Sequence, residues 1–132
     1  MGFKLLSYAA TAGNVDATFT VPYGKDYRVL YGQVVLTTDA TVASRRVQIQ
    51  VLDPTDAVVF YFHAGTTIPA SQTSQHMCFM QGVPRETALI GGSLLVPIGL
   101  DLVVPPGYQL NVNVDAGVAG DSHVGYFMVE EK

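Results

Sequence analysis

Tryptophan is absent from this chain of 132 residues, and cysteine occurs once, at position 78. A lone cysteine can form no disulfide within the chain, so stability must come from a buried core. A domain of this length buries roughly two-thirds of its unfolded surface, which suffices. Charge is scarce as well: Asp, Glu, Lys and Arg make up 14% of the residues, against about 25% in an ordinary soluble domain. The net charge of −4 and the lack of a basic stripe exclude the electrostatic footprint of a nucleic-acid binder. No apolar run approaches the roughly 20 residues of a membrane span. The first residues, MGFKLLSYAATAG, hold one lysine and a brief apolar patch, too short for a signal-peptide core. Leu6 stands where the myristoylation pattern requires Ser or Thr. No segment sustains apolar residues at i, i+3, i+4 and i+7 over three turns, which excludes an amphipathic helix as a main element.

Catalytic and metal-binding patterns are also missing. His63, His76 and His123 are scattered, with no H-x-H, H-E-x-x-H or Cys-spaced pattern to gather them on a metal. Asp53 and Asp56 flank a turn, and Asp115 and Asp121 bracket a glycine-rich loop. Neither loop carries the dense oxygen-ligand set that Ca²⁺ needs, and Asp is in any case a favoured turn former. Asp121-Ser122-His123 contains the residue types of a hydrolase triad, but adjacent strand residues point to opposite faces. Cys78 lies in an apolar run, the setting of an inert core thiol. The expectation is a protein with no catalytic residues, no metal site and no cofactor.

What the chain does have is alternation. Leu100–Gly117 reads as an apolar run, a Pro106-Gly107 turn and a strand with Leu110, Val112 and Val114 on one face and Gln109, Asn111 and Asn113 on the other. Proline presets φ and glycine accepts the positive φ that follows in a type II turn. The unit recurs near the start as Val21-Pro-Tyr-Gly24 followed by a Tyr27-led strand, so two equivalent corners of one sandwich are expected. Tyr27–Thr38 is the longest β-run, with a bulge expected around Gly32. Arg45–Asp53 places Val47, Ile49 and Val51 inward. Asp53-Pro-Thr-Asp56 is a type I turn signal, and Ala57–Ala64 returns from it with Val58, Phe60 and Phe62 assigned to the core. Residues 76–80 read as a short strand, and Val83–Gly92 are ambiguous: Glu86–Ile90 could make one helical turn, which Gly91-Gly92 would end at once. His123–Glu130 close the chain before a solvated tail. Eight or nine short strands separated by Pro/Gly turns predict an all-β fold, an antiparallel β-sandwich of jelly-roll type with about eight strands. Residues 1–12 are expected as an N-terminal arm or short strand and residues 13–132 as a single sandwich domain.

Low charge with 48% hydrophobic residues predicts that part of the surface is covered in an assembly, as a homo-oligomer or on a larger partner. The expected contact residues are Phe3, Leu5 and Leu6 on the arm, Val59, Tyr61 and His63 on the second face of the Ala57–Ala64 strand, and Tyr108 after the corner. If the arm docks on a neighbour, deleting residues 1–12 should leave the sandwich folded. The corner Val104-Pro-Pro-Gly-Tyr108, the strand Leu110-Asn-Val-Asn-Val114, the glycine-rich break and the closing Gly125-Tyr-Phe-Met-Val-Glu130 together resemble small structural proteins of tailed bacteriophages, in particular capsid cement or decoration proteins. The resemblance implies a non-enzymatic virion protein, made in the host cytoplasm and placed on the capsid surface. There it would stabilise contacts between capsomers, with the major capsid protein and further copies of itself (a homodimer or homotrimer) as partners, and with no nucleic acid or membrane. The alternative is a receptor- or carbohydrate-binding sandwich module of a virion fibre or tail, for which Tyr23, Tyr27, Tyr31, Tyr61, Tyr108 and Tyr126 would supply a stacking surface or a protein interface. A cupin-like metal enzyme would require the three histidines to converge.

Overall fold

The computed structural model describes residues 2–79, 86–89, 91–97 and 102–132. Among these there is no helix, and ten strands form two sheets. In chain order they are β1 (Gly2–Ala12), β2 (Ala17–Thr20), β3 (Tyr27–Thr37), β4 (Arg46–Leu52), β5 (Val58–His63), β6 (Thr73–Phe79), β7 (Ser93–Pro97), β8 (Val103–Val104), β9 (Gln109–Asp115) and β10 (Ser122–Glu131). The larger sheet runs β1-β10-β3-β6-β7, with β8 also pairing with β3; the smaller runs β2-β9-β4-β5. Every pairing is antiparallel except β6 with β7. The inward residues of the two sheets form one core. Val29, Val34, Leu36, Phe127 and Val129 come from the larger sheet, and Val47, Ile49, Val51, Leu110, Val112 and Val114 from the smaller. The architecture is all-β and sandwich-like. The period-2 alternation of β4 and β9 is realised as the sequence predicts, because one face of each strand is buried against the other sheet.

The two proline-glycine corners are type II turns built on the same bonds. Lys25 N–H donates to the Pro22 carbonyl (3.2 Å) and Tyr108 N–H to the Pro105 carbonyl (3.1 Å). Gly24 and Gly107 take φ of 84° and 79°, the conformation that admits no Cβ cheaply. The corners also meet: Val21 N–H donates to Tyr108 and Gly107 N–H to Val21, both at 2.9 Å. Their equivalence in sequence is therefore a physical pairing. The expected bulge near Gly32 lies instead between Val29 and Tyr31, opposite Val129 and Met128. Gly32 serves close packing, since a Cβ there would lie 2.3 Å from Cδ1 of Phe127.

Both chain ends belong to the larger sheet. β1 pairs with β10 from Gly2↔Glu131 to Ala12↔Ser122, interrupted by one irregularity between Tyr8 and Thr11. Lys132, expected in a solvated tail, exchanges two 3.0 Å main-chain bonds with Asp26. Glu86–Leu89 form a bend and no helical turn, while Val83–Arg85 and Ile90 lie outside the described residues. Of the strand expected at residues 76–80, Met80 also lies outside them.

One end of the molecule is closed by a polar knot. Arg45 is fully buried and grips Asp121 through Nε to Oδ2 (2.9 Å) and one terminal nitrogen to Oδ1 (3.0 Å). That terminal nitrogen also reaches Asp39 (3.0 Å), and the other donates to the Ala43 carbonyl (3.0 Å). Asp121 further accepts the N–H groups of Asp39 and Val118, while its own carbonyl accepts from Gly13. Three loops are thus fixed to one residue, two through its carboxylate and the third through its carbonyl. Burial alone pushes that carboxyl up, but the guanidinium and the two N–H donors outweigh it and hold it below the ordinary range.

Candidate interaction surfaces

The outer faces of the two sheets differ in chemistry. On the smaller sheet, Asn111, Asn113, Gln48, Gln50, Thr18 and Asp16 form a hydrogen-bonded ladder. Asn111 accepts from Thr18 (2.6 Å) and donates to Asp16 and Gln50 (2.9 Å each); Asn113 donates to Asp16 (2.9 Å), and Gln50 to Gln48 (3.1 Å). These amides satisfy one another and the water above them.

The larger sheet presents uncharged, mostly apolar rows instead. The pairing register sets Leu5, Met128 and Tyr31 side by side, then Ser7, Tyr126, Gln33 and Met77, then Val124, Val35 and Gln75. No residue in these three rows is charged; Arg28 and Glu130 lie beside Phe3 at one end. Tyr31 and Tyr126 meet edge to face at 6.4 Å. A groove of ≈ 340 Å³ opens on this face, lined by Leu5, Ser7, Gln33, Val35, Val124 and Tyr126 among others.

The expected contact residues divide between two surfaces. Phe3 is 73% exposed and Leu5 56%, both on β1. Leu6, expected beside them on a docking arm, is 7% exposed and part of the core. Strand alternation turns it inward, and β1 is the edge of the larger sheet along its full length. A deletion of residues 1–12 would strip that edge and open the core, so the segment is not separable in the way an arm would be. Val59 and Tyr61 are 52% and 55% exposed on β5, at the edge of the other sheet, with Tyr61 stacked on His63 at 6.2 Å. His63 is half-buried, its Nδ1 2.9 Å from the Ala64 carbonyl. Tyr108 belongs to neither surface; it is half-buried and packs on the core beside the corner. Val58 and Phe60, assigned to the core, are each about half exposed. Phe60 pairs with the inward Val51, whereas Val58 lies past the irregularity, opposite Leu52, so the pairing does not carry it into the core.

The histidines do not converge. His123 sits between the Tyr8 hydroxyl at Nδ1 and the Val15 carbonyl at Nε2, each 2.8 Å away. A carbonyl only accepts, so Nε2 carries the proton and Tyr8 donates to Nδ1. Burial raises the Tyr8 phenol far above its ordinary range. His76 is buried in the core; among the described residues no hydrogen bond of ordinary geometry reaches either ring nitrogen, and burial lowers it to about 4 against a smaller upward pull from the Val34 main chain. Cys78 follows on the same strand, pushed up to about 12 by burial and therefore a thiol at neutral pH. Asp121, His123 and Ser122 form no relay, because the Asp is engaged by Arg45 and the His by Tyr8 and Val15. Asp53 binds its own turn, accepting from the Thr55 hydroxyl (2.7 Å), Thr55 N–H (2.8 Å) and Ala57 N–H (3.0 Å), and these bonds lower its pKa. Among the described residues no three His, Cys, Asp or Glu side chains are placed to share a metal.

The sequence reading missed Val35, Val124 and Met128, and named Tyr126 only among the tyrosines of a stacking or interface surface. The signal was present in the closing strand, whose two faces are both apolar, as expected of a strand covered on both sides. Comparison of the chain with protein-family models, with curated proteins and with solved structures found no match.

Proposed function

We propose that this protein is a non-enzymatic virion component with a jelly-roll sandwich that binds the outside of a tailed-phage capsid and stabilises contacts between capsomers. The strand orders β1-β10-β3-β6 and β2-β9-β4-β5 are those obtained by wrapping two Greek keys into facing sheets, which supports the jelly-roll reading. The observation that carries the functional reading is the uncharged apolar outer face of the larger sheet, set against the amide ladder of the smaller one. An apolar face of this kind is the mark of a protein–protein contact. Four strands spaced about 4.8 Å apart and up to about 34 Å long present roughly 650 Å² of projected face. Side-chain relief brings this near the roughly 800 Å² per partner of a standard interface. The resemblance of the corners and closing strand to phage decoration proteins selects the capsid, with the major capsid protein as partner.

The test is sedimentation of the purified protein with undecorated shells of the phage concerned, alongside a Leu5→Asp/Tyr126→Asp variant. Both side chains project outward from the groove, so the variant should keep its fold while losing at least tenfold in shell binding. A wild-type protein that stays in the supernatant at saturating shell concentration refutes the reading and favours a receptor- or glycan-binding module, to be sought on a glycan array.

A further inference from the structure

We propose that the outer face of the smaller sheet is a binding site for a neutral oligosaccharide, in which Gln48 and Asn113 hold two neighbouring hydroxyls of a sugar ring and Tyr61 packs against its C–H face. The register sets Asn111, Gln50 and Tyr61 in one row across the sheet and Asn113, Gln48 and His63 in the next. Asp16 decides which way the amides point. A carboxylate only accepts hydrogen bonds, so the side-chain nitrogens of Asn111 and Asn113 face its two oxygens. The Asn111 oxygen is then left for the Thr18 hydroxyl, and its nitrogen also donates to the Gln50 oxygen. With that oxygen filled, the Gln50 nitrogen donates to the Gln48 oxygen. The relay ends in two groups that no hydrogen bond among the described residues fills, the Gln48 nitrogen and the Asn113 oxygen.

These two groups are neighbours, because Gln48 and Asn113 are paired directly across β4 and β9. Side chains opposite one another on a sheet face start from Cβ atoms about 5 Å apart. One group is a donor and the other an acceptor, and the bonds made by the other end of each amide hold both in place. That is the complement of a vicinal diol: one hydroxyl donates to Asn113 Oδ1 while its neighbour accepts from Gln48 Nε2. Fixing the amides beforehand lowers the ordering cost of binding. Tyr61 lies diagonally across from Gln48, two residues from its partner His63, at a Cβ separation of about 7–8 Å. His63 stacks on one side of the Tyr61 ring, yet Tyr61 remains 55% exposed. Apolar ring surface therefore stands beside the amides, the combination of an aromatic wall and a few placed polar groups that small-ligand sites use.

Charge and hydrogen bonding select a neutral sugar as the occupant. Asp16 bonds to the two asparagines, Asp56 to Gln109 at the end of β9, and Asp115 is paired with Arg46. Three carboxylates against one guanidinium repel phosphates and other polyanions. A protein partner would want an apolar centre, and the middle of this face is amide. Each sugar hydroxyl both donates and accepts, which suits a surface where the two kinds of group alternate within a few ångströms. Four strands about 4.8 Å apart make each row about 14 Å long, the length of a trisaccharide. The site lies on the sheet opposite the face assigned to the capsid, so both can be filled at once and the failure of either reading leaves the other standing.

The test is an NMR titration of the isotope-labelled protein with maltotriose, cellotriose, mannotriose and chitotriose, each up to about 20 mM, which reaches the millimolar affinities of a shallow site. At least one sugar should shift the side-chain amide signals of Gln48 and Asn113 before those of any other surface. Its affinity should be the same at about 50 and about 500 mM salt, since screening does not act on a neutral ligand. Gln48→Leu and Tyr61→Ala lie outside the core, and the backbone spectrum reports whether each is folded; each should weaken binding at least fivefold. No shift with any of the four sugars, shifts centred on another surface, or binding that survives both substitutions overturns the proposal. An affinity that collapses with salt also overturns it, because the ligand would then be held by charge at Arg46.

Discussion

His76 offers the sharpest test of the core. Its imidazole is fully buried on the inward face of β6, with Leu94 beside it across the sheet, and among the described residues no hydrogen bond of ordinary geometry reaches either ring nitrogen. Burial lowers its pKa from 6.5 to about 4. Above pH 6.5 the ring is neutral in both folded and unfolded chains, and titration contributes nothing. Below 6.5 the unfolded chain takes up a proton that the folded chain refuses. Stability therefore falls as pH drops, by about 1.4 kcal/mol per pH unit, until the folded ring itself titrates near 4. The interval of about 2.5 units gives a total loss of about 3 kcal/mol, a large share of a typical domain's 5–15 kcal/mol. His76→Leu removes the titrating group and two buried polar atoms at similar volume. The variant should be at least as stable as wild type at pH 7.5, and its advantage should widen between pH 6.5 and 4.5. Urea unfolding at intervals of one pH unit measures this directly, and the wild-type-minus-variant difference cancels the carboxylates that titrate in both proteins. Parallel stability curves for the two proteins down to pH 4.5 would refute the reasoning, since they would mean that the folded ring titrates normally.

Two further substitutions probe the polar contacts. Arg45→Met leaves the buried Asp121 carboxylate without its guanidinium and should destabilise the fold by about 3–5 kcal/mol, measured by urea unfolding at pH 7; a loss under 1 kcal/mol would mean that the knot is solvated. Tyr8→Phe deprives Nδ1 of His123 of its donor while keeping the ring packed on Phe19 (6.0 Å between centroids), and should cost about 1–2 kcal/mol in thermal or urea unfolding.

The strand pattern was legible wherever one face of a strand is buried and the other wet. β4 and β9 satisfy that condition, and so their inward residues could be read from the sequence. The corners were legible because Pro-Gly chemistry is local: φ of Gly24 and Gly107 is dictated by turn type rather than by distant contacts. β5 and β10 were harder, since both faces of each are apolar in sequence. Nothing local distinguishes a strand covered on both sides, an edge strand that overhangs the core, and a strand whose outer face awaits a partner. For the same reason Leu6 read as surface: its burial depends on β1 pairing with β10, more than a hundred residues away. The knot was invisible because Arg45 and Asp121 are 76 residues apart, and their meeting follows from three loops converging at one end.

The scarcity of charge now has a location. The smaller sheet keeps its outer face polar with amides that bond to one another, to Thr18 and to the Asp16 carboxylate, so few further charges are needed there. The buried charges are spent within the knot, where Arg45 and Asp121 neutralise each other and do nothing for the surface. What remains outside is an uncharged face on the larger sheet and an uncharged edge on the smaller, and water solvates neither well. A stable monomer would gain from a single lysine on β5 or a few on β10, substitutions that the fold would tolerate at exposed positions. Their absence from both places is the physical case for the proposed reading of the protein as a component of an assembly.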